Sequence, residues 1–195
     1  MLKIGITGRI GSGKSTICRV FETLGIPAYY SDIEAKKLYD NMDIIQKLSK
    51  LFGKGILDIN HRIDKRALAS IVFNDEEKLT LLNSVIHPLV LKDFEKWWLT
   101  KSNYPYILFE SAIIYEMKLE HLFSKIIYVD CPEEISIKRV MRRDNATHQA
   151  VLDRLSKQSF TVPPYDYRII SNEKDLEVPQ VLDLHEKLLQ LSHQK

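Results

Sequence analysis

Cysteine is nearly absent, with only Cys18 and Cys131 in 195 residues. One falls inside an expected helix and the other just past an expected strand, so neither a disulfide framework nor a metal cluster is expected, and a reducing cytoplasmic setting suits both. Long apolar runs are also missing, and none approaches the roughly 18 to 20 residues that span a bilayer. Met1-Leu2-Lys3-Ile4-Gly5 leads straight into a strand and then glycines, unlike a secretory leader. Neither secretion nor membrane insertion is expected. Charge of one sign is lacking too. The 28 basic and 26 acidic residues leave a formal +2 without a basic tail, so no nucleic-acid partner is expected. Glycine is scarce, yet four of the seven, Gly5, Gly8, Gly11 and Gly13, stand in the first thirteen positions and none lies beyond Gly55. A ligand-binding loop explains that concentration better than a tight turn.

What remains is an ordinary globular composition, 45% hydrophobic and 28% charged, in a length suited to one compact domain with inserted subdomains. Leu2 to Thr7 reads as a short strand. Ile17, Val20, Phe21 and Leu24 then recur at helical spacing until Gly25 and Pro27 intervene. Ala28 to Tyr30 is a second strand, and Ser31-Asp32-Ile33-Glu34 has the spacing of a capping box for a helix from about Ile33 to Asn41. Residues 42–100 are helical in pattern, broken at Gly53-Lys54-Gly55 and at His87-Pro88, where Pro88 is expected in the first turn of a new helix. In that stretch Trp97 and Trp98 read as packing residues. Tyr106 to Glu110 and Lys125 to Asp130 are continuous apolar runs ending in an acid, as in parallel strands buried on both faces, each followed by a helical pattern. Helices are expected from Pro132 to Arg143 and Thr147 to Ser159, a loop over 160–164, a strand at Arg168 to Ile170, and a closing helix from Val178 to Leu191. The alternation argues for an α/β fold, without repeats or low-complexity tracts.

Gly8-Arg9-Ile10-Gly11-Ser12-Gly13-Lys14-Ser15 fits the Walker A pattern in its required strand-to-helix context. Gly11, Ser12 and Gly13 are expected to bring backbone N–H groups to phosphate oxygens, since a backbone without Cβ takes otherwise costly angles. The helix beginning near Lys14 adds the positive end of its dipole. Lys14 offers an ammonium to the β- and γ-phosphates, the Ser15 hydroxyl is suited to Mg²⁺, and Thr16 adds a hydroxyl near the α-phosphate. ATP with Mg²⁺ is thus the expected co-substrate. A regulatory GTPase is disfavoured, because no aspartate stands three residues before a glycine and Asn172-Glu173-Lys174-Asp175 misses the guanine pattern. A motor or helicase is ordinarily longer. A small-metabolite kinase remains.

Several segments resemble the dephospho-coenzyme A kinase family in order along nearly the whole chain. These are Gly5 to Thr16, Ala28 to Asp32, Ile63 to Phe73, Val85-Ile86-His87-Pro88, Glu110 to Glu116, Arg142-Arg143-Asp144, Arg154 with Gln158, and Ile169 to Asn172. The sequence departs from the family in having glutamate and alanine within Glu110 to Glu116, and Asn145 where glycine often follows Arg-Asp. Asparagine tolerates similar backbone angles.

The resemblance implies a three-layer P-loop kinase fold with a central parallel sheet, a helical substrate-binding insertion and a small helical lid. The expected boundaries are 1–32, 104–138 and 165–195 for the nucleotide-binding core, 33–103 for the insertion and 139–164 for the lid. It also implies transfer of the ATP γ-phosphoryl group to the 3′-hydroxyl of dephospho-coenzyme A by a monomer or weak homo-oligomer. Other metabolite or nucleoside monophosphate kinases and a non-catalytic ATP-binding module are the alternatives. By resemblance Asp32 is the base, His87 lies at the acceptor site and Asn172 near adenine. Lys65 and Arg66 could meet the acceptor's phosphates, with surface solvation as their default. Glu110, at the end of a buried strand, is placed to hold Mg²⁺ through water or to orient substrate. Asp130 competes for that role, although Asp130-x-x-Glu133 is also a capping spacing and capping is its expected duty. Arg139, Arg142 and Arg143 share a helical face, from which Arg139 and Arg143 are candidates to neutralise the transferring phosphoryl group when the lid closes.

Overall fold

The computed structural model describes residues 1–72, 75–156, 158 and 162–194. Strands β1 (Leu2–Thr7), β2 (Ala28–Tyr30), β3 (Tyr106–Glu110), β4 (Lys125–Asp130) and β5 (Tyr167–Ile170) form one sheet in the order β2-β3-β1-β4-β5. Every adjacent pair is parallel. Ile4, Ile6, Ile107 and Leu108 are fully excluded from solvent. A strand covered on both faces leaves no position for a polar side chain, hence the unbroken apolar runs. Each such side chain contributes about 1.5–3 kcal/mol through burial.

Helices α1 (Lys14–Thr23) and α8 (Glu177–His193) send Ile17, Cys18 and Phe21, and Val181, Leu184 and Leu188, into one cluster with Leu2, Ile4, Ile6 and Val129. Both triplets follow the spacing of a single helical face. Helices α6 (Glu133–Asp144) and α7 (His148–Leu155) form a second cluster through Ile137, Val140, Val151 and Leu155. Because β3 and β4 flank β1 on opposite sides, the carboxyl end of β1 opens at the point where parallel α/β sheets bind ligands.

Met1–Tyr30 with Lys101–Lys195 make one compact unit, and Ser31–Thr100 make another. The second contains α2 (Ser31–Leu38), α3 (Met42–Phe52), α4 (Lys65–Val72) and α5 (Glu76–Leu99). Short polar side chains start its helices. Asn41 accepts from the amides of Asp43 and Ile44, Asp64 from those of Arg66 and Ala67, and Asp75 from that of Lys78. Each such cap stabilises by about 1 kcal/mol. Trp97 packs its ring on Phe94 with centroids 6.2 Å apart.

Several local expectations are corrected. Ser31 is the first residue of α2 rather than a cap preceding it, and the helix ends at Leu38. Pro88 does not begin a helix. It lies inside the continuous α5, where Leu82, Ile86, Val90 and Phe94 stay buried at intervals of four residues, so one apolar face passes through the proline without a change of phase. Packing of that face outweighs the hydrogen bond that proline cannot make. After β3 comes a single helical turn rather than a helix, with Met117 N bonded to Ile113 O at 3.1 Å. Lys118 then takes a left-handed φ of 54° and ends it. Asp130 caps nothing, since Pro132 occupies the cap of α6 without a side-chain bond. The expected helix to Ser159 stops at Leu155. Phe73, Ser159, Phe160 and Thr161, which fall within expected segments, lie outside the described residues.

Proline inside a helix costs about 3 kcal/mol against alanine, partly offset by its restraint of the unfolded chain, about 1 kcal/mol. Pro88→Ala is therefore expected to raise stability by about 1–2 kcal/mol, read as an upward shift of the thermal midpoint. An unchanged or lower midpoint contradicts this account of α5.

Candidate active site

The chain leaves β1 at the buried Thr7 and turns through Gly8 to Gly13 into α1. Gly11 has φ 79°, and a Cβ there would stand 2.5 Å from the Ser136 carbonyl oxygen of α6. Gly13 has φ 96°, and its Cβ would meet the Ser171 hydroxyl at 2.9 Å. Angle and space both demand glycine. Gly13 caps α1 without a side chain, and the first turn holds no acid, so no side chain of the helix itself compensates the amides and dipole at its start.

Lys14 is buried, with its ammonium donating to the carbonyls of Gly8 at 2.9 Å and Arg9 at 3.1 Å. It therefore sits within the loop. Ser12 is also buried, and its hydroxyl has no hydrogen-bond partner among the described residues. Ser15 and Thr16 are exposed at the start of α1.

Glu110 is buried at the carboxyl end of β3, in register with Ile6 on one side and Tyr30 on the other. Burial pushes the Cys18 thiol well up, Glu110 adds to the rise and Lys14 opposes it, so this carboxylate and this ammonium act on a common region. Asp130 is engaged elsewhere, since Arg168 Nε donates to it at 3.0 Å and Nη2 donates as well.

The arginines of α6 divide. Arg139 lies against the loop, donating to the Ser171 hydroxyl at 2.9 Å. Arg143 is exposed and bonds Asp144 at 2.7 Å, and Arg154 approaches the same carboxylate at 2.7 Å. Together the two guanidinium groups hold the Asp144 carboxyl below the usual range, with Arg143 the larger cause. Arg142 is exposed, so the expected shared face does not bring all three arginines to the loop. Asn145 ends α6 at φ 49° and ψ 40°, left-handed angles that asparagine tolerates better than most side chains.

In the second unit Asp32 is exposed in the first turn of α2. His87 lies on α5, and burial holds its pKa below the usual histidine range against the opposing pull of the Asp32 charge. Its Nδ1 is buried without a hydrogen-bond partner among the described residues. The fold thus brings two sequence-predicted residues into electrostatic reach of each other. Lys65 and Arg66 are exposed at the start of α4. Asn172 is occupied locally, accepting from the amides of Lys174 and Asp175 and donating to the Asp175 carboxylate at 2.7 Å.

Three supporting residues had no assigned role in the sequence reading. Gln158 accepts from the amide of Ile10 at 2.9 Å and so tethers the phosphate loop. Its place beside Arg154 in the family pattern was the available signal. Ser171 and Glu177 back Arg139, and no local pattern marks a contact across 32 residues.

For Mg²⁺, the Ser15 hydroxyl and the Glu110 carboxylate are hard oxygen donors in one unit. No group of three or more His, Cys, Asp or Glu side chains able to hold a metal occurs among the described residues. That combination fits an ion that takes one or two protein oxygens and completes its shell with phosphate and water.

The sequence model of one protein family, described as dephospho-CoA kinase, matches residues 2–162. A dephospho-CoA kinase of Porphyromonas gingivalis is 36% identical over 191 residues, covering 95% of this chain and 94% of its own. One from Bacillus licheniformis is 36% identical over 160 residues, covering 80% of each chain. Among solved structures, dephospho-CoA kinase from Campylobacter jejuni has a TM-score of 0.60 at 25% identity, covering 95% of this chain and 96% of that one. Shikimate kinase from Bacteroides thetaiotaomicron, with a TM-score of 0.53 at 12% identity over 97% and 98% of the chains, shares the fold.

Gly11→Ala must displace the Ser136 carbonyl, so it is expected to abolish ATP binding measured by calorimetry and to lower the thermal midpoint. For His87 the folded-state pKa lies below the unfolded value of about 6.5, so the unfolded chain binds protons first on acidification. The stability associated with neutral His87 is full above that value and declines as pH falls through it toward the folded pKa. His185, also shifted down by burial, adds a decline of the same sign. Denaturant titrations from pH 8 to 5.5 are therefore expected to show a shallower loss in His87→Gln than in the parent, and parallel profiles would contradict the assignment.

Proposed function

The chain belongs to the dephospho-CoA kinase family, whose reaction transfers phosphate from ATP to an alcohol group of dephospho-CoA, and from that premise we propose how its residues divide the work. The acceptor is the 3′-hydroxyl of the ribose. Its oxygen bonds to the γ-phosphorus as the bond to the β,γ-bridging oxygen breaks, giving coenzyme A and ADP. Phosphoryl transfer of this kind depends on positioning and on charge stabilisation.

The observation that carries the assignment is the phosphate loop itself, in which Lys14 lies within a backbone turn that ends at an uncapped helix start. Gly11, Ser12 and Gly13 present amides to the phosphates, and Lys14 exchanges its carbonyl partners for the β- and γ-oxygens. Thr16 is placed for the α-phosphate and Asn172 for adenine. Ser15 and Glu110 would hold Mg²⁺, which would supply neutralisation of phosphate charge. Asp32 takes the proton from the attacking hydroxyl, while its exposure leaves the carboxylate open to substrate. His87 orients the acceptor beside Asp32, and Lys65 with Arg66 meets the acceptor's phosphates. Arg139 stabilises charge on the transferring group, and Arg143 joins it if released from Asp144.

We assign 33–103 to acceptor binding, 139–164 to the lid and the remaining segments to the nucleotide-binding core. No described helix is long and apolar enough to cross a membrane. The reaction is placed in the cytoplasm, without membrane or nucleic acid, in a monomer or weak homo-oligomer.

A coupled assay of ADP release with Mg²⁺ is expected to show turnover with dephospho-CoA and little with AMP, CMP or shikimate. Asp32→Asn should lower kcat by about 10²–10⁴-fold while ATP affinity is kept, the range for loss of a general base. Lys14→Ala should lower kcat by about 10²–10³-fold, as for an electrostatic stabiliser. An Asp32→Asn enzyme as fast as the parent removes the base assignment, and ADP release that dephospho-CoA does not raise removes the substrate assignment.

A further inference from the structure

Arg139 is held along one edge. Its Nη1 donates to the Ser171 hydroxyl at 2.9 Å and reaches Cys131 Sγ at 3.7 Å and the Ser12 carbonyl oxygen at 3.5 Å. Nε and Nη2 make no hydrogen bond or ion pair among the described residues. Four other arginines of this unit are paired with carboxylates, Arg9 with Glu133, Arg143 and Arg154 with Asp144, and Arg168 with Asp130. Arg139 is different because Ser171 stands between it and the carboxylate of Glu177.

The order of donors explains what that spacing does. The Ser171 hydroxyl donates to Glu177 Oε1 at 3.0 Å, using its single proton, so its lone pairs are left to accept from Arg139. Ser171 is 1% exposed, and its amide donates to the Asp130 carbonyl at 2.8 Å, which fixes it beyond β5 at the sheet edge. Glu177 sits in the first turn of α8, where the dipole favours a carboxylate. A direct pair between Glu177 and Arg139 would occupy the guanidinium fork that phosphate needs. With a hydroxyl interposed, orientation is transmitted and the fork stays open.

We propose that Ser171 and Glu177 are positioning residues that aim the open edge of Arg139 at the triphosphate beside the phosphate loop. The same hydroxyl lies 2.9 Å from where a Gly13 Cβ would be, so loop and arginine are set against one point. This rests on the role given above to Arg139.

The test is a double-mutant cycle in steady-state kinetics. Arg139→Ala is expected to lower kcat about 10²-fold, as for a transition-state donor. Ser171→Ala should lower it about 10-fold with the KM for ATP within about threefold, an effect confined to kcat as expected for an interaction made in the transition state. Adding Ser171→Ala to Arg139→Ala should then cost nothing further, whereas a merely structural role remains additive in both backgrounds. Glu177→Ala should follow Ser171→Ala. Glu177→Gln, which can still accept the serine proton, should stay close to the parent. If Ser171→Ala does not fold, Glu177→Ala on its half-exposed helix turn decides the question through the same cycle. A Ser171→Ala enzyme, or in its place a Glu177→Ala enzyme, that is as fast as the parent, or that loses equally with and without Arg139, overturns the proposal. If Arg139→Ala is itself fully active, the role given to Arg139 fails and the positioning proposal falls with it. A slow Arg139→Ala beside a fast Ser171→Ala refutes the positioning proposal alone.

Discussion

Close approach of the phosphate-loop backbone to its surroundings governs the nucleotide half of the molecule. Gly11 passes under the Ser136 carbonyl of α6 and Gly13 passes against Ser171, with no room for a Cβ at either. The sheet makes this possible. β1 runs through its middle with both faces buried, so the loop that follows has a fixed origin, and β4 and β5 deliver α6 and Ser171 on one side. A packed interior transmits such placement because it has few voids into which an element can shift.

Neutral groups anchor cations around that turn, beside the Arg9–Glu133 ion pair. The α1 start carries no acid and no side-chain cap, Lys14 leans on neutral carbonyls, and Arg139 is anchored through a hydroxyl. Ordinary ion pairs lie around these groups. Arg168 with Asp130 and Arg143 with Asp144 are partly exposed, and surface pairs of this kind contribute about 0–1 kcal/mol. Neutral oxygens keep a cation oriented at modest cost and release it to an anion of higher charge, which is what transfer of a phosphoryl group asks of them.

The second unit follows a different principle. Three of its helices start at side-chain caps, and α5 alone is long enough to carry an apolar face of several turns through Pro88. His87 precedes that proline on α5 with a buried Nδ1 that has no hydrogen-bond partner among the described residues. A helix that stays continuous holds the imidazole in one rotational phase relative to Leu82, Ile86 and Val90. A break there would have freed it.

By itself the sequence determined what local chemistry can determine. Continuous apolar runs marked β3 and β4, a short apolar stretch before the glycines marked β1, glycines between a strand and a helix marked the phosphate loop, and the ordered family segments marked the reaction. Strand order, the passage of α5 through Pro88 and the partners of Arg139, Asp130 and Gln158 were decided by tertiary structure. The physical reason is range. Backbone angle, periodicity and capping act within a few residues and are written in neighbouring letters, while a guanidinium meets a hydroxyl 32 residues away only after a sheet has been assembled between them.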